Sequence, residues 1–132
     1  MASFRRFEEI IAWQKARALR RRIAVFRPRF EAAKDWGFQR QIMDAALSVM
    51  NNIAEGFGRF RDREFAKFLG YSRSSAFEVQ SMFYAGEDDG YFSPEERAAL
   101  HAGAEEVVRL ISALIVTLGG EDDDREDRPP RR

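Results

Sequence analysis

The chain has 132 residues, with 22 Lys/Arg balanced by 22 Asp/Glu, one histidine and no cysteine. That length suits one domain with a single hydrophobic core, and the missing thiols exclude disulfide frameworks, thiolate metal sites and cysteine nucleophiles. With charged residues close to the N-terminus and no run approaching the roughly 20 apolar residues that span a bilayer, the expectation is a cytoplasmic protein without export signal or membrane anchor.

The first predicted helix places Ala12, Ala16, Leu19, Ile23, Phe26 and Phe30 at alternating spacings of four and three, the seam of a helix packed in a bundle. Pro28 falls late in this pattern and predicts a kink or a stop, because it lacks a backbone donor and crowds the preceding turn. Trp36-Gly37-Phe38 reads as a break before the second helix, whose stripe is Ile42, Ala46, Val49 and Ile53 and whose end is marked by Gly56-Phe57-Gly58. The third helix starts near Asp62, carries Phe65, Leu69, Ser72, Ala76, Val79 and Phe83 on one stripe, and runs out in Gly86-Glu87-Asp88-Asp89-Gly90. The fourth has the clearest start: Ser93 caps, Pro94 suits the first turn, and Glu96 completes a capping box. Its stripe is Leu100, Ala104, Val107, Ile111, Leu114 and Leu118.

Four such helices with short connections predict an all-α, antiparallel up-and-down four-helix bundle over residues 1–120. The charged, proline-containing segment 121–132 has nothing to bury and is expected to be a disordered tail. Trp13, Phe60, Phe68, Phe77, Tyr84 and Phe92 exceed what one narrow seam per helix hides, which points to a surface that meets another subunit.

Charge is unevenly distributed: residues 1–73 carry 16 Lys/Arg against 8 Asp/Glu, and residues 74–120 carry 2 against 8. The asymmetry fits an anionic partner or two halves that face each other. Lys15, Arg17, Arg20, Arg21, Arg22, Arg27 and Arg29 lie along the first helix, with Arg20, Arg27 and Lys34 in one file and Lys15, Arg22 and Arg29 in another. Arg59, Arg61, Arg63, Lys67 and Arg73 form a second cluster around the turn between helices two and three. Such rows can engage successive phosphates. The competing reading pairs these cations with Glu95, Glu96, Glu105 and Glu106 of the fourth helix, or leaves them in water. No recognition-helix module appears, so contact is expected with phosphate backbone or RNA shape.

Ser48, Asn52 and Glu55 share one face of the second helix, and Ser75 and Glu78 one face of the third. The two sets read either as a pocket with paired carboxylates or as a hydrogen-bonded network that fixes helix register, and the second is favoured. A di-iron centre would need Glu-x-x-His motifs, but the single His101 has alanine three residues before it. It is expected to face solvent or a subunit. No phosphate-cradling glycine loop or serine triad is present, so no catalysis, metal or cofactor is expected.

The run Trp36-Gly37-Phe38-Gln39-Arg40-Gln41-Ile42 followed by Ala45-Ala46-Leu47-Ser48-Val49-Met50-Asn51-Asn52-Ile53-Ala54-Glu55-Gly56-Phe57-Gly58-Arg59 resembles the signature of the 23S ribosomal RNA intervening-sequence proteins, also called four helix bundle proteins. The resemblance extends to Phe7-Glu8-Glu9-Ile10-Ile11-Ala12-Trp13-Gln14-Lys15-Ala16, to Glu64-Phe65-Ala66-Lys67-Phe68-Leu69 and to Arg73-Ser74-Ser75-Ala76-Phe77-Glu78. It implies an antiparallel bundle assembling as a ring-like homopentamer, a fold shared with accessory proteins of reverse transcriptases in diversity-generating retroelements, which bind nucleic acid and a polymerase. Two departures stand out. The segment between helices one and two is longer than the family's phenylalanine-proline connection, and Ser74 replaces a glycine that, if it serves close helix contact, would let helices two and three sit slightly further apart. The function expected is non-catalytic binding of structured RNA or another nucleic acid by a homo-oligomer, the alternative being a protein-interaction scaffold such as a reverse-transcriptase accessory factor.

Overall fold

The computed structural model describes residues 3–119. Among them there are four long helices, two short helical segments and no strand. A 3-10 turn at Phe7–Glu9 leads into α1 (Ile11–Ala24), followed by the short α2 (Arg27–Ala32), α3 (Trp36–Phe57), α4 (Asp62–Asp88) and α5 (Pro94–Thr117). The expected tail, residues 121–132, lies outside the described residues.

Each long helix packs on two others: α1 on α3 and α5, and α4 on the same pair. This is a square of four helices with α1 and α4 on one diagonal. Contacts show that neighbours run in opposite directions. On α1 and α5, Lys15 pairs with Glu106 and Arg22 with Ala99; on α4 and α5, Arg73 meets Ser112 and Tyr84 meets His101. The core is the union of the apolar stripes, with Leu19, Ile23, Ile42, Val49, Ile53, Leu69, Val79, Phe83, Leu100 and Ile111 almost wholly buried.

The kink expected at Pro28 takes the form of a helix end. Pro28 has no N–H for the carbonyl of Ala24, α1 ends at that residue, and the chain re-enters helix with proline in the first turn of α2. Lys34 then closes α2 in the left-handed region at φ 55°, a conformation that costs a residue with a Cβ about 1–2 kcal/mol. The expected break at Trp36-Gly37-Phe38 is corrected. These residues are the first turn of α3, because Asp35 caps it by accepting the Phe38 N–H at 3.1 Å. The capping box of α5 is present in both halves.

At the end of the bundle that holds α2, Phe26, Phe30, Phe38, Phe83, Tyr91 and Phe92 pack on one another. Gly86 makes this possible, since a Cβ there would lie 2.4 Å from the Phe92 ring. The Tyr91 hydroxyl donates to Asp35 at 2.6 Å, a bond that lifts the phenol to about 12 and holds the Asp35 carboxyl below its ordinary value. At the opposite end α3 and α4 meet closely at Gly56, where a Cβ would stand 2.7 Å from that of Phe68. Ser74 is exposed, so it does not separate these helices.

Candidate nucleic-acid interface

The polar residues of α3 and α4 separate into two groups. The hydroxyls of Ser48 and Ser75 are hydrogen-bonded at 2.8 Å, and the Asn52 amide donates to the Ser48 carbonyl at 2.9 Å and hydroxyl at 3.0 Å. Beneath them the fully buried Ser72 donates to the carbonyl of Val49 at 2.6 Å. These hydrogen bonds link α3 to α4, and Ser72, which the sequence placed on an apolar stripe, is the most buried residue among them. Glu55 and Glu78 are corrected: neither takes part in them. From the Ser48–Ser75 pair, Glu55 lies seven residues towards the α3–α4 turn and Glu78 three residues away from it, a separation of roughly 15 Å at helical rise. Both are exposed, and Glu55 instead meets Arg59 at 3.4 Å. The paired-carboxylate pocket therefore does not form.

The cations of the first helix are divided by their neighbours. Lys15 meets Glu106 at 3.3 Å, Arg22 donates to the carbonyl of Ala99 at 3.2 Å, and Arg29 forms a two-pronged pair with Glu96 at 2.7 and 3.0 Å while also donating to the Tyr91 carbonyl. The file Lys15, Arg22, Arg29 thus clamps α1 and α2 to α5. The Arg29 guanidinium and the Ser93 N–H hold the Glu96 carboxyl down at about 2. The other file does not run straight, since it crosses the end of α1 and finishes at the left-handed Lys34. Arg20 and Arg27 are half-buried, and Arg17 lies 5.8 Å over the Trp13 ring. Arg21 is exposed on the outside of α1.

Around the α3–α4 turn, Arg59 lies 4.8 Å over the Phe68 ring as well as beside Glu55, and Arg73 reaches inward to the Ser112 hydroxyl at 3.1 Å. Arg73 therefore faces α5 and leaves the turn cluster. Arg61, Arg63 and Lys67 are exposed at this end. Between Arg59 and Arg61 stands Phe60, wholly in solvent, and Gly58, Arg59, Phe60, Arg61 and Glu64 line an open hollow of about 470 Å³.

The aromatic surplus seen in the sequence also divides. Phe92 is buried, Trp13 packs edge-on against Phe7, and Phe68 is half-covered. Phe77 and Tyr84 remain about half exposed along the groove between α4 and α5. His101 is half-buried on the groove between α4 and α5: it packs on Tyr84 and lies 3.2 Å from Glu105, with its side chain 19% exposed. Among the described residues no group of three or more His, Cys, Asp or Glu could hold a metal ion, and no helix is long and apolar enough to cross a membrane.

The fold is similar to that of a solved protein of unknown function from the S23 ribosomal protein family of Bacteroides thetaiotaomicron VPI-5482, with a TM-score of 0.72 at 17% identity, covering 79% of this chain and 97% of that one. No curated protein matches. The family model described as 23S rRNA-intervening sequence protein matches residues 8–113, which take in α1, α2, α3, α4 and most of α5. The chain therefore belongs to the 23S rRNA-intervening sequence protein family.

Proposed function

We propose that this protein is a non-catalytic, homo-oligomeric nucleic-acid-binding protein, with structured RNA as the favoured ligand and a pentamer as the favoured assembly. The observation that carries the reading is the sorting of cations by tertiary structure. α5 engages Lys15, Arg22 and Arg29, whereas Arg61 and Lys67 at the α3–α4 end and Arg21 on the outside of α1 are exposed and make no ion pair among the described residues. Exposed guanidinium and ammonium groups bind phosphates and release counterions, so affinity falls with salt. The family's name, which ties its members to an intervening sequence of 23S rRNA, agrees with an RNA ligand. Repetition around an assembly would multiply the field of each cluster.

Fluorescence anisotropy of a labelled RNA hairpin across a salt series tests this. Wild-type affinity is expected to fall linearly on logarithmic axes. An Arg61→Ala/Lys67→Ala variant is expected to bind more weakly, with a slope shallower by roughly 0.7–0.9 per cation removed. Absence of binding at low salt sinks the proposal. The second reading, a protein-interaction scaffold such as a reverse-transcriptase accessory factor, is favoured by the groove of about 350 Å³ between α4 and α5, which Phe77, His101, Val108 and Arg109 line.

A further inference from the structure

Phe60 is the side chain that folding leaves unexplained. It is 106% exposed, against 73% for the next most exposed large apolar residue, Val25. The neighbouring Phe57 and Phe65 pack on each other, and Phe68 packs on Tyr71 and under Arg59, so this end of the bundle has apolar contacts that Phe60 does not join. The hollow it lines has a distinctive chemistry: one aromatic face, the side chains of Arg59 and Arg61, and the Glu64 carboxylate, with the Arg59 guanidinium held between the Phe68 ring and Glu55 and Arg61 exposed. A bare inorganic anion would gain from the arginines but be repelled by Glu64 and ignored by the ring. An apolar segment of another protein would meet one ring among three charged side chains. An unpaired nucleotide uses every group. Its base would stack on the ring, a flanking phosphate would meet Arg61, and an exocyclic amine of the base would donate to the carboxylate.

We propose that the hollow at Phe60 binds an unpaired nucleobase, with Phe60 as the stacking platform and Glu64 as the acceptor that prefers amine-bearing bases such as cytosine over uracil. This rests on the nucleic-acid reading above and adds to it that the ligand must present single-stranded nucleotides, in a loop, bulge or end. Backbone contacts alone do not require this.

The experiment compares two labelled RNAs, a hairpin with a cytosine-containing loop and a fully paired duplex of equal length, by anisotropy at low salt with the full chain. Phe60→Ala is expected to weaken hairpin binding roughly 5- to 150-fold, the loss of one base–aromatic stack, while changing duplex binding less than about twofold. Phe60→Trp should restore the hairpin affinity. Glu64→Gln should shrink the preference for a cytosine loop over a uracil loop without lowering duplex affinity. Sedimentation mass is measured for each variant. Equal weakening of both RNAs by Phe60→Ala, or no weakening of either, overturns the proposal. So does loss of assembly mass, which would assign Phe60 to a contact between copies of the chain. If the wild-type protein binds duplex but the hairpin gains nothing from its loop, this inference fails and the broader reading stands. If it binds neither, both fail.

Discussion

The two ends of the bundle are built from the same kinds of residue and treat them in opposite ways. Phe26-Arg27-Pro28-Arg29-Phe30 and Arg59-Phe60-Arg61 both interleave aromatic rings with arginine. At the α2 end the rings join a six-membered cluster, and Arg29 reaches the Tyr91 carbonyl and the Glu96 carboxylate. At the α3–α4 end Phe60 touches no ring and Arg61 stands exposed. The difference lies in what the next element offers. The turn before α5 brings Tyr91, Phe92 and Glu96 back over the first end, whereas at the second the 3-10 turn Phe7–Glu9 packs on α1 and α3 and leaves Phe60 uncovered. Aromatic and basic residues together therefore do not identify a binding surface until the acceptors within reach are known.

Substitutions can break this contrast in order of expected size. Phe30→Ala removes a fully buried ring that packs on three others, and should destabilise the protein by about 3–5 kcal/mol in denaturant unfolding. A loss under about 1 kcal/mol would mean that the closed end is not part of the core. Glu96→Gln probes the charge at the same end, because glutamine can still accept the Ser93 N–H of the capping box but carries no charge for Arg29. The native carboxyl is held at about 2, below its ordinary 4.5, so the stability it contributes is present above about pH 4.5 and is lost as pH falls towards 2. The variant should show a flatter stability profile across that window, and a slope as steep as wild type would locate the acid sensitivity elsewhere. Phe60→Ala is the smallest: thermal and denaturant stability should stay within about 0.5 kcal/mol of wild type, since no packing is lost. A large drop would show that the open end is closed in the folded protein.

Much of the fold was legible because it depends on periodicity and on local chemistry. The seam from Ala12 to Ile23, the stripe from Ile42 to Ile53, the Ser93–Glu96 capping box and the interruption at Pro28 all follow from spacing and backbone donors within a few residues. The start of α3 was missed because the apolar rhythm begins at Ile42, whereas the helix is set by the Asp35 side chain two turns earlier. The candidate site was only half legible. That Lys15 and Arg29 would be engaged by α5 was one of two readings open to the sequence, and choosing between them needed the antiparallel register of helices distant in the chain. The same register separates Glu55 from Glu78, which shared-face reasoning on each helix had drawn together. Phe92 and Phe60 looked equivalent, each aromatic and next to a turn. The available signal was Gly86, whose missing side chain is the space that Phe92 fills.

Gly56 gives the open end a thermodynamic character of its own. With the Phe68 Cβ and the Phe65 ring occupying the place where its side chain would be, the last turn of α3 and the first turns of α4 lie closer together than a residue with a Cβ at this position would allow. The four residues bridging them are thereby tied at both ends to closely packed helices. Anchoring both ends of that loop during folding lowers the ordering cost left for a ligand, so the stack proposed at Phe60 would lose less of its gain to ordering the backbone.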